Sequence, residues 1–330
     1  MNTNILGRSG LKVSLLTLGC GAVGGLMTKG RAADQDNAIA WARDNGINFF
    51  DTAASYGDGA SEINLGRALG GNVEGLVVST KVGLKAEHLK DVCAEVERSL
   101  DASLSRLKLD KVDLLQLHNT IGLPDRHGTL DANQMLAELV PAFDKIRASG
   151  KAQYFGFTAK GNPDLLHQWV ASGAFDSAQI FYNLLVPSAG ESVPPNYPAV
   201  DYEKLLASSK QHGVGSIGVR VLAGGALSGS EKRHPLGMPV VAPIGGSADA
   251  DYASDVTLSH SFKPLIEKGF AENVPELALR YSISHPQMCT TEIGVATLDE
   301  LQQAVAAVNR GPLASEALEA IKGIQAGFCT

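Results

Sequence analysis

The chain has 330 residues, of which 44% are hydrophobic and 19% are charged. This length is compatible with two average domains or with one α/β barrel, and composition does not choose between them. Acidic residues outnumber basic residues by 35 to 28, so the chain has no overall positive field that would attract DNA or an anionic membrane surface. We therefore expect neither a nucleic-acid partner nor a membrane partner.

Cysteine spacing and the first residues bear on the compartment. The four cysteines lie far apart and form no CxxC pair, which argues against a structural zinc site and against a disulfide framework. The start, MNTNILGRSGLKVS, has no apolar run long enough for a secretory leader, and no stretch of about 18 apolar residues follows it. The sequence therefore predicts a cytoplasmic protein without a metal site.

From residue 15 onward, short apolar runs alternate with longer stretches in which apolar residues recur at helical spacing. Glycine often follows the helical stretches, where it can adopt a left-handed cap. The predicted strands are 15–19, 48–51, 76–81, 112–118, 152–157, 177–182, 214–221 and 289–295. The predicted helices are 35–44, 61–68, 86–107, 133–149, 164–172, 202–211, 275–284 and 298–308.

Eight strands that each precede a helix predict an α/β fold, a (β/α)8 TIM barrel forming a single domain over residues 1–330. Parallel neighbours need helical crossovers, and eight strands can close without edges. A doubly wound open sheet is the competing fold, but the repeat runs evenly to eight rather than in two halves.

Two segments lie outside the plain repeat. Residues 314–328 predict an extra C-terminal helix with no strand of its own. Residues 226–273, rich in Gly, Pro, Ser and Asp, are too many for an ordinary loop after strand seven. On a barrel this long loop lies at the catalytic face, where it is either a lid over a ligand or a disordered insertion.

Four polar residues stand at or just beyond the ends of predicted strands two, three and four. Asp51 closes strand two, and Tyr56 lies in the loop that follows it. Lys81 closes strand three, and His118 closes strand four. Because catalytic groups of such barrels stand at the carboxyl ends of strands, we expect these four side chains to meet.

Each of the four has a structural explanation when taken alone, as a helix cap, a solvent-reaching lysine or a hydrogen-bonded histidine. Together they form a complementary set, in which we expect Lys81 to lie between Asp51 and Tyr56. Its charge would lower the phenol pKa from about 10 by roughly 1–3 units. Tyr56 would then exchange a proton with a carbonyl or alcohol oxygen while hydride moves at carbon, and His118 would orient the carbonyl. The quartet predicts a nicotinamide-dependent reductase or dehydrogenase.

Seven motifs spread over nearly the whole chain carry a resemblance to a known family. They are LGRSGLKVSLLTLGCG at 6–21, DTAASYGDGASEINLGRAL at 51–69, VVSTKVG at 77–83, VDLLQLHN at 112–119, FYNLL at 181–185, LAGGALSG at 222–229 and LALRYSISHP at 277–286. In these motifs the chain resembles the aldo-keto reductase family. The resemblance implies a (β/α)8 barrel that binds an extended dinucleotide, NADP or NAD, without a Rossmann domain. It also implies Tyr56 as the acid/base, with Lys81, Asp51 and His118 in support.

The resemblance also implies where the cofactor lies. The carboxamide contacts fall on Thr158 and Gln179, the pyrophosphate loop falls around 222–227, and the adenosine end falls on 293–303. Glycines at several of these places would allow close approach of the backbone to the ligand. The residues expected to contact the cofactor are Gly21, Asp51, Thr158, Gln179, Arg220, Val221, Leu222, Gly224, Gly294, Thr297 and Gln303.

Three departures from the family's usual pattern concern the cofactor. Ala159 stands where the family usually has an amide side chain, and Val219 and Arg220 stand near its usual stacking tyrosine. We expect stacking to be lost and Arg220 to contact the cofactor phosphates. After Gly294 the chain has no Lys or Arg until Arg310, and a ribose phosphate needs a cationic or multi-donor partner. The choice between NAD and NADP therefore stays open.

Two functional hypotheses follow. The first is an oxidoreductase that interconverts a small carbonyl compound, of sugar-like or other type, and its alcohol. The second is a dinucleotide-binding sensor or partner-docking subunit with vestigial activity, suggested by the departures at Ala159 and Val219. Substrate, reaction direction and oligomeric state are left open. The loop residues expected to line a substrate pocket are Val23, Met27, His127, Tyr197, Arg233 and His234.

Overall fold

Eight parallel strands form a closed barrel in the computed structural model, which describes residues 1–124, 130–239 and 251–329. An antiparallel hairpin of β1 (Thr3–Ile5) and β2 (Lys12–Ser14) precedes the barrel. The barrel strands are β3 (Leu16–Gly19), β4 (Phe49–Asp51), β5 (Val77–Val82), β6 (Val112–Leu117), β7 (Ala152–Ala159), β8 (Ser177–Phe181), β9 (Gly215–Val219) and β10 (Thr290–Ile293). Each strand pairs with the next in the chain, and β10 closes the barrel against β3. The predicted (β/α)8 TIM barrel is confirmed.

Helices cover the outside of this barrel. They are α1 (Leu26–Lys29), α2 (Ala32–Asp44), α3 (Ala60–Leu69), α4 (Val92–Leu107), α5 (Ala132–Ser149), α6 (Pro163–Ala171), α7 (Leu205–Gln211), α8 (Tyr252–His260), α9 (Lys263–Glu267), α10 (Val274–Ser284), α11 (Leu298–Asn309) and α12 (Ser315–Ala326). Among the helices of the described ranges, none has the length and hydropathy needed to cross a bilayer. The predicted extra C-terminal helix is present as α12.

The helix boundaries differ from the predictions at one informative place. The helix predicted over 86–107 begins instead at Val92, because the Asp91 side chain accepts a hydrogen bond from the backbone N–H of Ala94 at 2.9 Å and caps the helix. Residues Ala86–Lys90 form a separate 3-10 turn. The N-terminal hairpin and the short helices α1, α8 and α9 were not predicted.

The barrel interior changes from apolar to polar along its strands. Side chains of a strand point alternately inward and outward, so every second residue faces the interior. At the amino-terminal end the inward residues and the hairpin form one buried apolar floor, which consists of Leu6, Val13, Phe49, Val77, Leu114 and Ile217. Two residues further along β4, β5 and β6, the inward positions hold Asp51, Ser79 and Gln116. The polar interior therefore lies at the carboxyl end of the strands.

Residues 19–24 have the Gly-x-Gly-x-x-Gly spacing of a dinucleotide-binding fingerprint, yet they do not begin a doubly wound sheet. The turn after β3 packs instead against the end of β10. A Cβ on Gly24 would lie 2.3 Å from the backbone nitrogen of Val295, and a Cβ on Gly294 would lie 3.3 Å from the backbone nitrogen of Gly24. These glycines therefore allow the two chain segments to touch at the barrel mouth.

A short part of the excursion after β9 connects the loop after β9 with the loop after β3. Arg233 donates from Nη1 to the carbonyl of Gly224 at 2.6 Å, and the N–H of Met238 donates to the carbonyl of Ala22 at 3.0 Å. We call residues 233–239 the strap, because they join the loop after β9 to the loop after β3. Part of the predicted excursion, 240–250, lies outside the described residues.

The floor generates a prediction about stability. Leu6 is 0% exposed within the floor, whereas its neighbour Ile5 is 55% exposed. We expect Leu6→Ala to lower the free energy of unfolding by about 2–4 kcal/mol, because it leaves a cavity among apolar side chains. Ile5→Ala is the matched control and should cost under about 0.5 kcal/mol. Chemical denaturation of both variants checks the difference, and equal losses would contradict the role of the floor.

Candidate active site

Lys81 occupies the centre of the polar interior. Its ammonium forms an ion pair with Oδ2 of Asp51 and donates to the carbonyl oxygen of Thr52 at 2.9 Å. It also donates to the phenol oxygen of Tyr56 at 3.2 Å. Asp51 and Lys81 are buried, while Tyr56 is only half-buried. The ammonium therefore lies between the carboxylate and the phenol, as the sequence predicted.

Asp51 is fixed by donors on the two following strands. Its Oδ1 accepts a hydrogen bond from the Ser79 hydroxyl on β5 and another from Nε2 of Gln116 on β6, the second at 2.8 Å. With Lys81, the carboxylate has three donors, which offset the cost of burying its charge. Asp51 is thus held as an anion in a single orientation.

His118 completes the quartet at the end of β6. Its Nδ1 lies 3.3 Å from the hydroxyl of Ser55, and its ring meets the Tyr56 ring edge to face with centroids 5.6 Å apart. A cavity of about 270 Å³ opens beside Lys81 and His118. Its other lining residues are Ala54, Ser55, Gly83, Lys85, His88, Glu95, Arg98 and Ser99. A ligand in this cavity would contact the His118 imidazole, whose ring in turn meets the Tyr56 phenol ring.

The acidity of Tyr56 differs from the expectation. Burial raises the pKa of Tyr56 to about 12, because it outweighs the opposing effect of Lys81, and the charge of Asp51 acts in the same direction as burial. The lysine does lower the pKa, but not below the value of a free tyrosine. The phenol therefore keeps its proton at neutral pH, which is the form a proton donor requires.

Glu292 is a site residue that the sequence reasoning missed. It points inward from β10, accepts a hydrogen bond from Nε2 of Gln179 at 2.8 Å, and is close enough to Asp51 for that charge to act on its pKa. Burial, followed by the charge of Asp51, raises the pKa of Glu292 well above the ordinary carboxyl range. Alternation along β10 signals this position, because Thr290 and Glu292 are two residues apart and face the same side.

The residues expected at the nicotinamide end lie close to the quartet. The Thr158 hydroxyl donates to Oε1 of Gln179 at 3.1 Å, which links the ends of β7 and β8. A Cβ on Gly21 would lie 3.4 Å from the Tyr56 ring, so this backbone runs directly beside the phenol. The two predicted carboxamide contacts are therefore adjacent to each other and joined through Gln179 to Glu292.

Arg220 stands at the end of β9 in a strained conformation. Its φ is 57°, a left-handed value that is unusual for a residue other than glycine, and Asn183 holds its carbonyl oxygen with a 2.9 Å hydrogen bond. Burial lowers the pKa of Arg220, and its buried Nη1 has no partner among the described residues. A buried cationic donor without a partner suits an anionic ligand such as a phosphate.

The loop that follows Arg220 combines buried and open positions. Val221 is buried in the core and Leu222 is half-buried. Gly224 and Gly225 have φ of 68° and 111°, values that only glycine adopts freely. The loop therefore offers backbone rather than side chains to a ligand, and together with Arg220 it fits the phosphates of a dinucleotide.

The expected adenosine end carries two acidic residues, Asp299 and Glu300, in the first turn of α11. Thr297 caps α11 by accepting from the N–H of Glu300 at 3.2 Å, and Gln303 is exposed and donates to Asp299 at 2.7 Å. Thr297 is thus engaged within its own helix start, and Gln303 lies on the solvent side of the second turn. Arg310 forms ion pairs with Glu272 and Glu276 rather than facing this end.

The loop residues expected to line the substrate pocket are dispersed. Met27 is buried in the apolar core, and Tyr197 is buried against Phe328. Arg233 belongs to the strap, and His127 lies outside the described residues. In the parts of the chain that the structure describes, no group of three His, Cys, Asp or Glu side chains is placed to hold a metal ion.

The chain is similar to known proteins over most of its length. The model of the Aldo/keto reductase family matches residues 15–326. An L-galactose dehydrogenase of Arabidopsis thaliana is 29% identical over 325 residues, covering 92% of this chain and 86% of that protein. A "probable voltage-gated potassium channel subunit beta" of the same plant is 26% identical over 333 residues, covering 93% of this chain and 91% of that protein.

A solved structure is similar in fold. The holo form of an aldo-keto reductase from Bacillus halodurans superimposes with a TM-score of 0.73 at 24% identity, covering 98% of this chain and 96% of that one. The family match extends over nearly the whole chain. The chain therefore belongs to the aldo/keto reductase family, and it is an NAD(P)H-dependent oxidoreductase.

Glu292 generates a prediction about stability and pH. A carboxyl group whose pKa is raised by folding keeps its proton in the folded chain at pH values where the unfolded chain has lost it. Its presence therefore costs stability as the pH rises above the ordinary carboxyl range of about 4 to 5. We expect Glu292→Gln to match the original chain near pH 4 and to become more stable than it toward pH 8. The gain should be at most about 1.4 kcal/mol per pH unit.

Thermal unfolding of the two chains from pH 4 to 8 measures this difference. Glu316→Gln, on the exposed first turn of α12, is the matched control and should give a difference that does not vary with pH. A difference for Glu292→Gln that is equally independent of pH would show that Glu292 is already ionised in the folded chain.

Proposed function

We propose that this chain interconverts small, hydroxylated aldehydes or ketones and their alcohols, with Tyr56 as the general acid and base. The observation that carries the proposal is the Lys81 ammonium, which is 3.2 Å from the Tyr56 phenol oxygen and paired with buried Asp51. A fixed positive charge beside a phenol stabilises the tyrosinate that remains when the proton leaves.

The residues that would hold a nicotinamide dinucleotide lie along one side of the barrel mouth. Thr158 and Gln179 would bind the carboxamide, and Arg220 with the loop at 222–227 would bind the phosphates. Support comes from the buried, unpartnered Nη1 of Arg220 and from the two left-handed glycines of that loop. When bound, the dinucleotide supplies or accepts the hydride. The strap passes over the same side, between Gly224 and Ala22, and would cover the phosphates as a lid.

In the reductive direction, Tyr56 gives its proton to the carbonyl oxygen as the carbon becomes tetrahedral. The Lys81 ammonium then faces a phenolate, and Asp51 keeps the ammonium in place. His118 would position the carbonyl oxygen, because its ring lines the cavity and also meets the Tyr56 ring edge to face. In the oxidative direction, the same phenolate takes the proton from the alcohol.

The cavity beside Lys81 and His118 supports a hydroxylated substrate. Ser55, Lys85, His88 and Ser99 contribute hydrogen-bonding groups to its wall, and its volume is about 270 Å³. Such a wall favours a substrate with hydroxyl groups, because polar groups of the wall that find no hydrogen-bond partner on the substrate reduce the binding free energy. The similarity to an L-galactose dehydrogenase also favours a sugar-like substrate.

We expect NAD to be preferred over NADP. The first turn of α11 carries Asp299 and Glu300, and Arg310 is paired with glutamates elsewhere. Two negative charges at this end repel a ribose phosphate. Asp299→Lys should therefore improve the affinity for NADP relative to NAD by roughly tenfold, since it replaces repulsion with attraction.

Fluorescence titration with both reduced cofactors measures this shift in preference. Glu316→Lys makes the same charge change on α12 and should leave the ratio of the two affinities within about twofold, because exposed charges beyond a Debye length are screened. A preference of the original chain for NADPH would contradict the assignment of α11 as the adenosine end.

Tyr56→Phe tests the proposed chemistry directly. The variant lacks the phenol proton but keeps the ring, so kcat for aldoses and simple aldehydes should fall by roughly 10²–10⁴ while the cofactor affinity stays unchanged. Tyr154→Phe, at the floor of the barrel, is the matched control and should keep full activity. Steady-state kinetics and cofactor titration on both variants decide the matter, and turnover retained by Tyr56→Phe would refute the assignment.

A second function has support from the similarity to a channel beta subunit. In that case the dinucleotide would report on redox state to a partner, and chemistry would be slow in the original chain. The same measurements separate the two, since a sensor shows cofactor binding but little turnover with any tested aldehyde before Tyr56 is changed. The intact quartet favours the enzyme.

A further inference from the structure

Glu292 occupies an unusual place for a carboxyl group. It enters the barrel interior from β10, and the neighbouring position on β3 is Gly19, where a Cβ would lie 2.7 Å from the Glu292 carboxyl oxygen Oε1. The absence of a side chain on β3 therefore makes room for the carboxyl. Glu292 keeps partial exposure toward the barrel mouth, whereas Asp51 and Lys81 are fully enclosed.

The neighbours of Glu292 favour its protonated form. Asp51 accepts hydrogen bonds from Ser79, Gln116 and the Lys81 ammonium, which stabilise it as a carboxylate. Glu292 accepts from Nε2 of the neutral Gln179 at 2.8 Å, and no cation of the described residues donates a hydrogen bond to it. Burial and the nearby charge of Asp51 raise the pKa of Glu292, so Glu292 is the carboxyl of this pair that carries the proton.

The charged groups that surround Glu292 explain why it stays neutral. Asp51 faces it from β4 and Lys81 from β5, and Tyr56 faces it from the loop after β4. Cys20, at the end of β3, is held as a thiol because burial raises its pKa. On β8 the neighbour is the neutral Gln179, and β9 has no titratable side chain. If Glu292 were ionised, two carboxylates, Glu292 and Asp51, would be buried beside a single cation, the Lys81 ammonium.

A nicotinamide ring would change that balance. Hydride transfer requires the ring to stand beside the carbonyl carbon whose oxygen meets Tyr56, and Glu292 is close enough to Tyr56 for its charge, when ionised, to act on the phenol. The oxidised ring carries a positive charge and the reduced ring carries none. The positive charge of an oxidised ring would therefore stabilise Glu292 as a second carboxylate beside Asp51 and Lys81. A neutral, reduced ring would not.

We propose that Glu292 distinguishes the two redox states of the nicotinamide ring through its own protonation. It keeps its proton in the free chain and beside a reduced ring, and it releases this proton to solvent when an oxidised ring binds. The inference rests on the proposed function, because it requires the dinucleotide to lie next to Tyr56. It follows that the oxidised cofactor binds more tightly as the pH rises, and that the reduced cofactor does not.

Calorimetric titration of the full chain tests the inference. NAD+ and NADH are titrated separately at pH 6 and pH 8, each in two buffers of different ionisation enthalpy, so that protons released on binding are counted. The original chain should release up to one proton on binding NAD+ and none on binding NADH. Its affinity for NAD+ relative to NADH should rise by roughly tenfold between the two pH values, because proton release is linked to binding of the oxidised cofactor alone.

Glu292→Gln keeps an acceptor for Gln179 and a donor for Asp51 but cannot ionise. It should release no proton with NAD+, lose roughly tenfold in affinity for NAD+ at pH 8, and bind NADH within about twofold of the original chain. Asp113→Asn is the matched control. Burial also raises the pKa of that carboxyl, but Asp113 lies toward the floor end of β6, where it accepts from the N–H of Val78 at 2.8 Å. It should behave as the original chain does.

Each outcome decides between the possibilities. Equal loss of affinity for both cofactors in Glu292→Gln, or proton release that persists in it, overturns the inference and leaves the proposed function intact. Binding of neither cofactor by the original chain overturns the proposed function as well. If Glu292→Gln does not fold, proton release and pH dependence in the original chain decide alone, and their absence overturns the inference.

Discussion

The burial of the Lys81 ammonium inside the barrel is the constraint on which the surrounding charges and hydrogen bonds depend. Burial by itself would lower the pKa of Lys81, but its neighbours, above all the Asp51 carboxylate, outweigh that effect and raise it. The cation therefore persists without water, provided that Asp51 stays ionised. Asp51 in turn needs Ser79 and Gln116, so three neighbouring strands must hold their register for one charge to survive.

This constraint explains the division of the barrel into two ends. Inward positions near the amino ends of the strands hold large apolar residues that pack with the hairpin. Inward positions near the carboxyl ends hold the ion pair and the groups that touch it. Alternation along a strand keeps the two sets in line, so Val77 in the floor, Ser79 below the carboxylate and Lys81 at the site belong to one face of β5.

Much of this arrangement could be predicted from the sequence. Asp51, Lys81 and His118 each end an apolar strand, and parallel strands in a closed barrel bring such ends together. The net acidity of Tyr56 could not be predicted, because burial and the charge of Lys81 act in opposite directions and only the coordinates show which is larger. Glu292 was missed because its partners, Gly19, Asp51 and Gln179, come from distant parts of the chain. The excursion after β9 was located correctly, but α8 and α9 within it have weak helical periodicity.

The closed floor has a consequence for how such a chain can change over generations. Burying the Asp51–Lys81 ion pair and the neutral Glu292 at one end of the barrel lowers the stability of the fold. The floor at the other end stabilises the fold without touching a ligand. Substitutions that improve packing around Leu6 or Phe49 can therefore accumulate a reserve of stability out of reach of the chemistry. Loops at the mouth can then change at some cost in stability, so new substrates become accessible while Asp51, Lys81 and Tyr56 stay in place. In this sense, the floor of the barrel allows the loops at the other end to evolve.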